Sequence, residues 1–167
     1  MIEAQIKKEF ERRLLDESLM RIKACLNFMT EDNIWYTPNE NVNSVGNMVL
    51  HLCGNIRQYI ISTFTDQKDE RQRSLEFSQH KSHSKSELST KITTTIEEAV
   101  LVINHLDDAL FTKEFDVQGF KEKGINIIIH VIEHTSYHTG QITTICKWLE
   151  NVDTKYYGDL DLDITSA

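Results

Sequence analysis

Apolar residues return at steps of three and four along most of this chain, the period of a helix that buries one face. In the first segment Ile6, Phe10, Leu14, Leu15, Leu19, Ile22, Cys25, Leu26 and Met29 keep those steps, with Lys, Arg and Glu between them. One long amphipathic helix is expected there. The stretch TEDNIWYTPNENVNS holds the only proline, Pro38, with several asparagines, and reads as a connection. Asn43 or Ser44 is placed to cap the next helix. That second helix is expected from about Ser44 to Phe64, with Val45, Met48, Val49, Leu52, Ile56, Tyr59 and Ile60 as its apolar side. Gly46 and Gly54 interrupt it at a cost of about 1 kcal/mol each relative to alanine, which the close approach of another helix would offset.

Between Thr65 and Lys85 the pattern is lost in polar and charged residues, with Leu75 and Phe77 as exceptions. A connection of this length can cross the end of a bundle and let the second and third helices run parallel. His80 and His83 lie in it in a serine-rich setting and read as solvated, while Arg71 and Arg73 read as surface or loop-anchoring residues. Ser84 and Glu87 have capping-box spacing and open a third helix. Its core face is Leu88, Ile92, Ile96, Ala99, Val100, Ile103, Leu106 and Leu110, with His105 on the flank. FTKEFDVQGFKEKG keeps no sustained period and reads as a loop with a short extended piece. A fourth helix follows over about Ile125 to Leu149, and from about residue 151 an irregular acidic tail is expected, with Tyr156 or Tyr157 packed against the body. The pattern as a whole predicts an all-α protein, a four-helix bundle with a long connection between helices two and three.

The 167 residues suit one domain spanning 1–167. A formal charge of −8 opposes a phosphate-binding surface, so nucleic acid is not expected as a partner. The opening MIEAQIKKEF lacks the apolar core of a signal peptide and no apolar run reaches transmembrane length, which points to a cytoplasmic protein without a membrane partner. Cys25, Cys53 and Cys146 are odd in number and far apart, and suit reduced thiols inside helices.

Candidate chemistry is concentrated in the fourth helix. In INIIIHVIEHTSYHTGQITTICKWL the residues His130, His134 and His138 recur at every fourth position and line one helical face. A histidine in an apolar helix is more often a hydrogen-bonded core residue. Two at i, i+4, however, can aim ring nitrogens at one point, and His51 in MVLHLCGNI can add a third from a facing helix. His130 and His138 are separated by about 12 Å along the helix, too far to share one ion with His134 between them. The bound pair is therefore 130 with 134 or 134 with 138. The order Glu133–His134 departs from the HExxH motif of zinc proteases, whose glutamate follows its first histidine.

NSVGNMVLHLCGNIRQYI, ERQRSLEF and HVIEHTSYHTGQI together resemble the DinB superfamily of metal-binding four-helix bundles, in a branch with LHLxGN and EHxxYHxGQI motifs. The resemblance covers most of residues 1–149. It implies an up-down-down-up bundle, frequent homodimerisation, and a metal held by His51, His134 and His138, with His130 one turn away and Asn55 and Gln141 as polar neighbours. Relatives of this kind include thiol S-transferases and proteins described as metal-dependent hydrolases. Three neutral histidines leave coordination positions open, as a reactive zinc or nickel site requires. The resulting expectation is a metalloenzyme that activates a low-molecular-weight thiol for transfer to a small-molecule substrate. The alternatives are a hydrolase that activates water and a non-catalytic, metal-stabilised binding bundle.

Overall fold

A computed structural model of the chain describes residues 2–158 and 160–165. The first predicted helix is a continuous rod, α1 (residues 2–28), α-helical over Ile2–Glu11 and Met20–Phe28 and widened to a π-helix over Arg12–Leu19. Phe10, Leu14, Ile22, Cys25 and Leu26 are wholly buried along it. Thr30 caps a short turn, Glu31–Ile34, that carries Ile34 and Trp35 into the core.

Ser44 caps the second helix, α2 (residues 45–64), by accepting from the Asn47 backbone N–H at 3.1 Å. It is α-helical over Val45–Ile56 and π-helical over Arg57–Ser62. Every residue from Val45 to Cys53 is buried, so α2 is covered on both sides rather than along one stripe. The second cover was not expected. Within the polar connection the chain forms a short helix, α3 (Arg73–Ser78), packed on α2. The two glycines of α2 make room as expected, though not for a bundle helix: a Cβ at Gly46 would lie 2.8 Å from the Trp35 ring, and one at Gly54 would lie 2.0 Å from Glu76 Oε1.

The third long helix, α4 (Lys85–Asn104), opens on the expected capping box, with Ser84 and Glu87 each bonding the other's backbone N–H. It ends at Asn104, short of Leu110, because Asp107 caps a separate 3₁₀ turn, Asp108–Phe111. The segment read as a loop is a β-hairpin. Strands β1 (Glu114–Val117) and β2 (Phe120–Lys123) pair antiparallel around a Gln118–Gly119 turn in which both residues have positive φ. The fold is therefore mostly helical with one small hairpin.

The last helix, α5 (Gly124–Glu150), begins at a glycine because a Cβ there would lie 2.1 Å from the Leu110 carbonyl oxygen. It stops at Asn151 in the left-handed conformation. In the tail, the Tyr156 hydroxyl lies 3.0 Å from Cys25 Sγ and 2.9 Å from Thr143 Oγ1, while Tyr157 stays exposed. All three cysteines are free and buried. Contacts from Cys25 to Thr143 and from Asn33 to Glu150 run α1 and α5 in the same direction. Those of His51 with His138 and Tyr59 with His130 run α2 against α5. Among the described residues no helix is long and apolar enough to cross a membrane.

Candidate metal centre

Antiparallel packing of α2 on α5 brings His51 to the middle of the α5 histidine row. His51 Nε2 lies 3.1 Å from His134 Nε2, and His138 Nε2 lies 3.2 Å from the same atom. Ligand atoms of these three residues all lie within 4.8 Å of one another. His130 is held apart: its ring stacks on Tyr59 at 4.5 Å between centroids, and its Nε2 is 3.5 Å from Asn55 Nδ2.

The state of each ring follows from its surroundings. A carboxylate can only accept, so in the 2.8 Å contact with Glu76 Oε2 it is His51 Nδ1 that donates, which turns Nε2 toward the α5 histidines, while Arg71 Nη2 lies 3.2 Å from the same Nδ1. Burial, with the neighbouring His138, pushes His134 down to about 3. Burial and His51 push His138 down to about 4, against an opposing influence of the neighbouring Gln141 amide. Both rings are neutral at neutral pH. Nε2 of His51, His134 and His138 thus face one point, and the single lone pair of His134 Nε2 cannot accept from both of its neighbours at once.

A divalent ion fits this donor set. Zinc–imidazole bonds of 2.0–2.1 Å in a tetrahedral site set ligand nitrogens about 3.3 Å apart, close to the separations around His134. His51 would be oriented by a carboxylate behind it, an arrangement common to metal-ligating histidines. Nδ1 of His134 and of His138 is buried without a hydrogen-bond partner, so those two rings lack an equivalent support.

That support on the His51 side is substantial. Arg71 grips Glu76 with two parallel bonds, Nε to Oε1 at 2.7 Å and Nη2 to Oε2 at 2.9 Å, and its Nη1 donates to Gln58 Oε1 at 2.8 Å. Burial alone would raise the Glu76 carboxyl, but bonds to Arg71 and His51 hold it below the usual carboxylate range. Asn47 ties the end of α3 down by donating to the Glu76 and Gln79 carbonyls, both at 2.9 Å. Gly54 leaves the space in which the Arg71–Glu76 pair sits.

The sequence matches, over residues 5–158, the family described as protein of unknown function DUF1572. The chain belongs to the DUF1572 family. Solved structures that share its fold include two DinB-like proteins. A DinB-like protein from Bacillus subtilis, YjoA, is 17% identical with a TM-score of 0.66, over 89% of this chain and 94% of that one. A DinB-like protein from Bacillus cereus is 16% identical with a TM-score of 0.62, over 80% and 86%. No curated protein matches. At these identities the likeness is one of fold, and this DUF1572 chain has a DinB-like fold with three histidines that could hold a metal ion.

Two residues central to the site were not singled out by the sequence pattern. Arg71 is not a surface residue, since its side chain is only 4% exposed, although it does anchor the loop. Glu76 drew no attention as one acid among many, and its signal was only its place in ERQRSLEF. His80 is exposed, His83 lies away from the triad with its carbonyl accepting from Trp35 Nε1, and His105 is exposed at the end of α4. A cleft of about 230 Å³ opens on His51 and His134 between α2, α3, α5 and the hairpin, with Asn55, Tyr59, Arg73, Gln118 and His130 on its walls.

Proposed function

We propose that His51, His134 and His138 hold one divalent transition-metal ion, zinc or nickel, and that the protein uses it to activate a small thiol for transfer to a small-molecule substrate. The observation that carries this reading is the convergence of three ring nitrogens on one point, with the His51 ring oriented by its bond to Glu76. When bound, such an ion supplies Lewis acidity that lowers the pKa of a thiol or of water reaching its open positions.

The chain's own residues divide the remaining work. Glu76 and Arg71 keep the His51 ring in place with its Nε2 turned toward His134. Arg73, exposed at the cleft and 5.0 Å from the Phe77 ring centroid, offers a positive charge to an incoming thiolate. Asn55 and Gln118 offer amides to the substrate. Transfer of a thiol is favoured over hydrolysis because no free carboxylate lines this cleft among the described residues: Glu76 is engaged twice over and Glu133 is exposed on α5. A thiolate attacks without a general base, whereas water is helped by one. Hydrolysis is the second reading because His130, neutral and beside the triad, could take that role. A metal-stabilised binding bundle is the third.

The pairwise directions of the helices support an up-down-down-up bundle spanning 1–167 as one domain. We also propose that it assembles as a homodimer and acts in the cytoplasm. Sedimentation equilibrium showing only a 19.4 kDa species would contradict the dimer. To test the reaction, the protein loaded with zinc or nickel is screened for conjugation of small thiols and, in parallel, for ester and amide hydrolysis. Metal-dependent thiol conjugation is expected; a fully loaded protein that turns over neither substrate type would leave the binding bundle.

A further inference from the structure

Beside the triad cleft lies a second recess of about 310 Å³, lined by Tyr59, Phe120, Glu122, Asn126, Ile127 and His130. The two share Tyr59, Phe120 and His130 as walls. Strand β2 builds the outer side of this recess. Side chains alternate along a strand, so Phe120 and Glu122 project to one side while Lys121 and Lys123 project to the other. Lys121 is accordingly turned toward Glu114 and Asp116 across the hairpin, at 3.8 and 3.5 Å. The turn itself is fastened to α2, because the Tyr59 hydroxyl donates to Gln118 Oε1 at 2.8 Å. Phe120 is thereby held 60% exposed over the opening, where burial gives no reason for an aromatic ring.

The recess is selective in its chemistry. Its walls are the stacked Tyr59 and His130 rings, Phe120 and Ile127. Its one charge is Glu122, which accepts from Asn126 Nδ2 at 3.0 Å and has no Lys, Arg or His partner within 4.0 Å among the described residues. Aromatic faces and an unpaired carboxylate both attract a cation and repel an anion. We infer that this recess is a binding site for an apolar group ending in a protonated amine, placed so that the rest of the same molecule reaches the triad. The inference rests on the reading of the triad as the reactive centre and adds a substrate class to it: an amine-bearing acceptor, whose ammonium is held by Glu122 and Asn126 and whose apolar body lies along Tyr59 and Phe120.

Calorimetric titration of the full-length protein, with and without zinc, tests the recess apart from turnover. The probes are 2-phenylethylamine, 2-phenylethanol and 3-phenylpropionate, which share a ring and differ in charge. The amine is expected to bind about tenfold more tightly than the other two, the advantage of a charge-assisted bond. Glu122→Gln should bring the amine to the level of the alcohol, and Glu114→Gln, on the outer face of the hairpin, should leave the preference intact. Equal binding of all three probes, a preference that survives Glu122→Gln, or no binding of the amine would overturn the proposal. Amine selectivity without any uptake of zinc would instead contradict the metal reading and leave the recess standing.

Discussion

Helix α5 presents polar side chains to two neighbours inside the bundle, and the two faces meet that polarity in opposite ways. Toward α1, Thr139 and Thr143 return their hydroxyls to carbonyls one turn back at 2.7 and 2.8 Å, and Tyr156 closes over Thr143 and Cys25. Among the described residues, only Thr135 Oγ1 is buried there without a partner. Toward α2, Nδ1 of His134 and His138, Oε1 of Gln141 and, facing them, Oδ1 of Asn55 are all buried without one. A protein rarely leaves so many buried polar atoms unmet in one place. The α1 face is a polar patch satisfied from within. The α2 face leaves these atoms unmet, and its His51 corner, held by Glu76 and Arg71, is the part whose hydrogen bonds are supplied from within.

The comparison breaks most severely at that corner. Glu76→Ala leaves Arg71 buried and unpaired, and should destabilise the metal-free protein by about 3 kcal/mol, read as a lower urea midpoint. It should also weaken metal binding by about tenfold or more, because His51 loses its orienting carboxylate. Gly54→Ala is the subtler version. Helix propensity alone favours alanine, but its Cβ would occupy the position of Glu76 Oε1, so a loss of about 1–3 kcal/mol is expected.

Acid and base separate the two faces. His134 and His138 are held down to about 3 and about 4, first by burial. The unfolded chain takes up their protons near pH 6.5. Their stabilisation is therefore complete above about pH 6.5 and is lost as pH falls toward about 4, where the unfolded state binds more protons. On the other face, burial pushes Cys146 up to about 12 and raises Tyr156 as well. That contribution is complete below about pH 8.5 and is lost as pH rises. Thermal unfolding of the metal-free protein from pH 4 to pH 10 should decline at both ends. The acid limb should shrink in a His134→Gln variant, and the alkaline limb should not.

Smaller effects sharpen the contrast. Tyr156→Phe removes one hydroxyl from the satisfied face and should cost about 1 kcal/mol with no change in metal content. Gly140→Ala meets open space on an exposed helical position and should stabilise the fold by about 0.5–1 kcal/mol. Opposite signs for alanine at Gly54 and Gly140 would separate a glycine kept for a neighbour from one that is not.

What could be read in the sequence was what local pattern carries. The period of apolar residues located four long helices, Ser84 announced its cap, and the pairs Asn43 or Ser44 and Tyr156 or Tyr157 each contained the residue used, Ser44 as a cap and Tyr156 on the body. The convergence of His51 on His134 and His138 was legible only through the resemblance, since spacing alone left 130 with 134 equally open. Helix α3 escaped because six residues with only Leu75 and Phe77 apolar are too short to show a helical period, and its position depends on Glu76 reaching across to α2. The hairpin escaped for a related reason. Its strands pair four residues each around Gln118–Gly119, which lacks the usual asparagine or aspartate signal. Arg71 read as a surface or loop-anchoring residue, and its burial was missed because a buried arginine is stable only with a partner that sequence distance does not reveal.

Metal content of single-residue variants tests the central claim most directly. Wild-type protein and His130→Ala should each hold one divalent ion per chain after loading and removal of free metal, as measured by elemental analysis. His51→Ala, His134→Ala and His138→Ala should each lose it while keeping the helical circular dichroism of the fold. A folded His51→Ala protein that retains full occupancy would contradict the account.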